Sequence, residues 1–150
     1  MTSFQDAFRE GLEASDSAER AKQEIESVFE ECARQVREAS RGALLLSRES
    51  RTADASTGVL ASRRAHQALV ARIMGEFSPQ GLELCEYKLP ASGYPVSLVY
   101  ASVDEYCHDK PSLELALMEL LRHPVTGGKL RRLLNQHAAP ANGHPGGEPK

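Results

Sequence analysis

Apolar residues recur at helical spacing from Phe4 to about Ser47, the longest stretch of the chain with one apolar stripe and no proline. Phe4, Phe8 and Leu12 stand four apart, on one face of a helix. Ala18, Ile25, Cys32 and Ala39 then recur every seven residues, with Ala21, Val28 or Phe29, and Val36 between them. The mean step is near the heptad value of about 3.5 residues. This predicts a long helix over residues 1–47, continuous or broken near Ser15–Ser17. Ser3 and Asp6 form the Ser-x-x-Asp pattern that satisfies free amides at a helix start. Ala43–Ser47 (ALLLS) also fits a strand.

Glu49–Thr57 is rich in Ser, Thr, Ala and Asp and reads as a loop. Val59, His66, Leu69, Val70, Ile73 and Phe77 then predict a second helix over residues 58–77. Folded back on the first helix, it makes a helical hairpin. Because both helices rise about 1.5 Å per residue, the second covers only the later half of the first. Phe4, Phe8 and Leu12 are left needing other cover.

After Ser78–Gly81 the period changes. Residues 82–101 hold two β-prone runs, LELCEYKL and YPVSLVYA, separated by Pro90–Gly93, which predicts a β-hairpin with Pro95 at a strand end or sheet edge. Ser102–Pro111 reads as a polar loop, and residues 112–135 as two short helices, the first N-capped by Ser112 and apolar on nearly all sides. Residues 136–150 lack large apolar side chains and are expected to be a disordered tail. The expected fold is therefore α+β: one domain over 1–135, with a long N-terminal helical hairpin, a small antiparallel sheet and C-terminal helices.

Composition narrows the class. A chain of 150 residues with 41% hydrophobic and 26% charged residues can bury one core without metals or disulfides. No apolar run approaches the roughly 18 residues needed to span a bilayer, and the N-terminus lacks a signal-peptide pattern, so a cytoplasmic protein is expected. Cys32, Cys85 and Cys107 make no CxxC and leave one thiol unpaired under any scheme, which fits a reducing compartment. The net charge of −3 hides blocks of alternating sign: residues 1–31 and 75–121 are acidic, 32–74 and 122–134 basic.

No motif for catalysis, metal or cofactor stands out, and none of the three is expected. Cys107, His108 and Asp109 adjoin, but neighbouring side chains diverge in extended backbone, whereas a nucleophile and its base meet from separate parts of a fold. Cys85, Cys107, His108 and His123 lack the ligand spacing of a zinc site. Thr126–Lys129 (TGGK) matches a phosphate loop only in part, with His123 where the first glycine belongs and Leu130 in place of Ser or Thr. His66, on an apolar stripe, reads as a core histidine with one hydrogen bond.

The arginines carry the functional expectation. Arg34, Arg37, Arg41 and Arg48, spaced by three, four and seven, share a face of a continuous helix, and Arg63 and Arg64 lie on the helix expected beside it. Together they make a basic strip. With acidic blocks on either side and no interleaved aromatics, the strip points to a protein partner before nucleic acid. The expected function is a non-enzymatic bacterial or phage interaction protein of the inhibitor, immunity or adaptor kind. It would self-associate, as a homodimer, through Phe4, Phe8 and Leu12. The alternative is a nucleic-acid-associated regulator using the arginine strip.

Overall fold

The N-terminal pattern folds as its capping signals dictate. In the computed structural model, which describes residues 3–52, 65–75 and 81–138, helix α1 runs Phe4–Ala39. Ser3 Oγ accepts the Asp6 amide at 3.1 Å, and the Asp6 carboxylate accepts the Ser3 amide at 3.4 Å. The helix continues through Ser15–Ser17 without a break. It ends short of the expected Ser47: after the cap residue Ser40, Arg41 (φ 57°) and Gly42 (φ 84°) turn the chain through left-handed conformations. The strand reading of ALLLS wins, because Leu44 and Leu46 alternate with half-exposed Leu45 across a sheet.

Five antiparallel strands follow in chain order as a meander: β1 (Leu44–Thr52), β2 (Ala65–Ile73), β3 (Leu82–Lys88), β4 (Val96–Tyr100) and β5 (Val103–Cys107). The sheet is larger than the expected hairpin and displaces two expectations. Residues 65–73 form a strand, paired from Leu44↔Ile73 to Thr52↔Ala65, so the second helix expected over 58–77 is absent there, and among the described residues no helix follows α1 as a hairpin partner. Residues 58–64 and 76–77 of that stretch lie outside the described residues. The cause is physical. Ala68, Leu69, Val70 and Ala71 are all buried, and a strand covered on both faces reads as a continuous apolar run that fits a helix equally well. The second displacement is β5, which occupies most of the expected polar loop 102–111; its side chains alternate between half-buried and exposed up to buried Cys107. The hairpin over 82–101 forms as β3 and β4, with Pro95 immediately before β4.

Two helices follow among the described residues, α2 (Lys110–Arg122) and α3 (Pro124–Ala138). The cap of α2 is Asp109, whose carboxylate accepts the Ser112 amide at 3.0 Å, while the Ser112 hydroxyl accepts the Asp109 amide at 3.1 Å. That capping keeps the Asp109 carboxyl below its ordinary pKa. Residues 136–138 are helical and not part of a tail; the rest of the expected disordered segment, 139–150, lies outside the described residues.

The architecture is α+β. One face of the sheet carries Leu44, Leu46, Leu69, Cys85, Leu98 and Cys107, and these pack with Ile25, Val28 and Phe29 of α1 and with Leu113, Leu117 and Leu120 of α2. The opposite face sets polar side chains of β1 and β2 around buried Ala68 and Val70. There Glu49 accepts Arg72 Nε at 3.0 Å and the Ser47 hydroxyl at 2.8 Å, and His66 Nε2 lies 2.9 Å from Glu83. Gly81 passes so close to β2 that an added Cβ would lie 2.5 Å from Val70 Cγ1.

Candidate functional site

The later part of α1 is anchored from three sides. Phe29 packs against Tyr87 at 5.3 Å between ring centroids, and the Arg48 guanidinium lies 5.0 Å over the Phe29 ring. Tyr94 donates from its phenol to Glu24 at 2.7 Å, and Gly93 meets the helix backbone and Ala21. Burial and the Glu24 carboxylate both push the Tyr94 phenol well above its ordinary pKa.

Ahead of Ala18 nothing covers the helix among the described residues. Phe4, Phe8 and Leu12 are 96%, 68% and 53% exposed. At about 1.5 Å per residue, residues 4–17 form an arm roughly 20 Å long. Its apolar stripe does not continue the buried one. At about 100° per residue, the Phe4–Phe8–Leu12 line sits roughly a quarter turn around the helix from the line of Ile25, Phe29 and Cys32. Asp6, Glu10 and Glu13 fall on the far side of that line. Residues 3–17 hold four acids (Asp6, Glu10, Glu13, Asp16) and one base (Arg9), a net of −3 that equals the net charge of the whole chain.

The expectation that Arg34, Arg37, Arg41 and Arg48 share one continuous helix fails, because α1 ends at Ala39. Arg34 is bridged to Glu31 and, at 2.6 Å, to Glu38. Hydrogen bonds from Arg34 and Gln35 hold the Glu31 carboxyl down to about 2. Arg37 lies in the last turn of α1, Arg41 in the turn that follows, and Arg48 in β1, folded over Phe29 and 3.9 Å from Glu26. Arg63 and Arg64 lie outside the described residues. Among the described residues of the expected partner-binding set, Arg34 and Arg48 are engaged with carboxylates, and Arg37 and Arg41 are exposed at the end of α1.

A groove that the sequence left unremarked runs between α1 and α2. Its volume is about 410 Å³, and its walls are Val28, Cys32, Val36 and Ala39 from α1 and Leu117, Met118 and Leu121 from α2, with Glu31, Gln35 and Glu114 also lining it. Beside it Leu115 and Met118 are half exposed, so α2 is not buried all round. Seven of the 13 residues of α2 are Leu, Ala or Met, which signals more apolar surface than one core contact covers but not what lies beside it.

Other candidate chemistry is taken up by structure. Cys107 is buried in β5 and Asp109 caps α2, so the Cys107–His108–Asp109 run is not a constellation. Burial pushes the Cys32 and Cys107 thiols up to about 11 and Cys85 to about 12, the opposite of an activated nucleophile. Among the described residues no three of His, Cys, Asp or Glu converge as a metal site would require. The TGGK stretch is helical within α3, and Lys129 donates to the Glu83 carbonyl at 2.7 Å. A polar hollow of about 580 Å³ at the far end of β2 and β3 holds His66, Glu86 and Lys88, with the Tyr87 phenol pushed up by burial. Among the described residues no helix is long and apolar enough to cross a membrane.

No family model matches the chain, and the searches of curated proteins and of solved structures return no match.

Proposed function

We propose that this protein is a non-enzymatic interaction protein, of the adaptor or inhibitor kind, whose binding element is the N-terminal arm of α1. The observation that carries the reading is the bare Phe4–Phe8–Leu12 stripe on a capped helix that outruns its own body. Apolar stripes of this length on a rigid helix are usually covered in the working assembly. Burial, which pushes the Cys32, Cys85 and Cys107 thiols up, removes these three as activated nucleophiles.

The first partner this geometry favours is a second copy. Two arms packed stripe to stripe turn Asp6, Glu10 and Glu13 outward into solvent, so the charge of each arm stays hydrated. Analytical ultracentrifugation at high micromolar concentration tests it. A concentration-dependent dimer for the unmodified chain, and a monomer for Phe8→Glu with unchanged circular dichroism, is the expected result. A monomer in both overturns the arm as a self-association element.

A further inference from the structure

We propose that the groove between α1 and α2 is a second, independent docking site, and that its occupant is a basic amphipathic helix of a different protein. Shape and chemistry both enter. The walls are apolar, with Met118 at one lip and Cys32 at the floor, and unbranched Met adapts to varied side chains. A helix presenting large apolar residues at i, i+3, i+4 and i+7 is the segment that fills a groove of this kind.

Charge selects the occupant. Among the described residues the only charged groups lining the groove are Glu31 and Glu114; Glu31 and Glu38 share the one Arg34 guanidinium, two carboxylates against one base, so that cluster keeps an excess negative charge to which Glu114 adds. Lysines or arginines flanking the occupant's apolar stripe meet the Glu114 carboxylate and the excess negative charge of the Glu31–Arg34–Glu38 cluster. The same charge argues against the arm of a second copy as occupant: residues 3–17 carry a net of −3, and an acidic helix entering between Glu31 and Glu114 meets like charge. The molecule would then have two surfaces of different purpose, an arm for a copy of itself and a groove for something else.

The test uses the full chain and a defined probe. A fluorescent amphipathic peptide of roughly 18 residues, about five helical turns, is built from Leu and Lys at helical spacing, with a Leu and Glu counterpart as control. Binding is read by anisotropy for the unmodified chain and for Met118→Glu, Glu114→Lys and Phe8→Glu. The expected result is saturable binding of the Lys peptide, weakened about tenfold or more by Met118→Glu. Glu114→Lys should weaken it less and flatten its salt dependence, and Phe8→Glu should leave it unchanged. Met118 and Glu114 are exposed, so neither substitution threatens the fold.

Three results overturn the proposal. Equal binding of the two peptides reduces the groove to nonspecific apolar adhesion. Loss of binding in Phe8→Glu but not in Met118→Glu moves the site to the arm. Dissociation by Met118→Glu of a dimer seen by ultracentrifugation makes a second copy the occupant. Failure of self-association in the Phe8→Glu experiment leaves this test intact, because the two surfaces carry different substitutions.

Discussion

The two halves of α1 have the same backbone and comparable apolar content, yet opposite surroundings. From Ile25 to Val36 the helix is clamped by the sheet and α2, with Ile25, Val28 and Phe29 buried. From Phe4 to Ser17 it stands in solvent. Helix formation alone therefore says nothing about burial; what decides it is how far the sheet and α2 reach along the helix. The strongest way to break the comparison is to truncate one aromatic from each half. Phe29→Ala, which removes a ring packed on Tyr87 and under Arg48, should cost about 3–5 kcal/mol in urea unfolding. Phe8→Ala should shift stability by no more than about 0.5 kcal/mol at low micromolar concentration. A loss above about 1 kcal/mol for Phe8→Ala would mean that the arm packs on the body after all.

The boundary between the halves can be moved next. Gly93 has φ 98°, and an added Cβ would lie 2.7 Å from Ala21 Cβ, so the β3–β4 turn sits against the helix only because glycine is there. Gly93→Ala should destabilise by about 1–3 kcal/mol through strain and displacement of α1. Restoring space with Ala21→Gly should recover part of that loss in a double-mutant cycle. Strict additivity of the two substitutions would show that the turn does not position the helix.

How much of this was legible follows from what each signal measures. Capping is local, so Ser3–Asp6 marked the start of α1 correctly, and Pro90–Gly93 marked the β3–β4 turn. Periodicity is also local, and it failed where burial is two-sided: Leu69, Val70 and Ile73 fit a helix, and only pairing with Leu44–Thr52 and with β3 makes them a strand. The cap of α2 was misplaced because Asp109 and Ser112 reciprocate, and either side chain alone fits the pattern. The bare stripe at Phe4, Phe8 and Leu12 was visible as an excess of helix over cover. Its reason differs from the expected one, since the cover is a sheet and α2 and not a helix over 58–77. The groove was not legible, because it exists only where α2 lies beside α1, a relation that no spacing encodes.

The sheet offers a smaller and more specific contrast, between its apolar face and its polar one. On the polar face the Arg72 guanidinium, with help from the Ser47 hydroxyl, holds the Glu49 carboxyl below its ordinary value of 4.5. A carboxylate with a depressed folded pKa adds stability that is fully present above its unfolded pKa. That stability is lost as pH falls through the folded value. Glu49→Gln should therefore cost about 1–2 kcal/mol at neutral pH and progressively less below pH 4.5. Urea midpoints of the two proteins should converge on acidification. A constant gap at all pH values would mean that Glu49 acts through shape and not through charge.

The smallest expected effect is also the most discriminating for the arm. Ser3 caps α1 through a reciprocal pair with Asp6, and Ser3→Ala removes the acceptor for the Asp6 amide. Cap losses of this kind cost about 1 kcal/mol. In a helix clamped along its whole length that cost appears in global stability. Here the first turn is far from the core, so the free energy is lost locally, as fraying, and the melting temperature should stay within about 1 °C. Amide exchange of residues 4–8 should quicken about fivefold in dilute protein, the rate change equivalent to about 1 kcal/mol. At high micromolar concentration, where arms pair under the proposed self-association, that acceleration should shrink because the partner arm closes the frayed turn. Fivefold acceleration that is independent of concentration would leave the arm bare in solution and assign its stripe to a different protein.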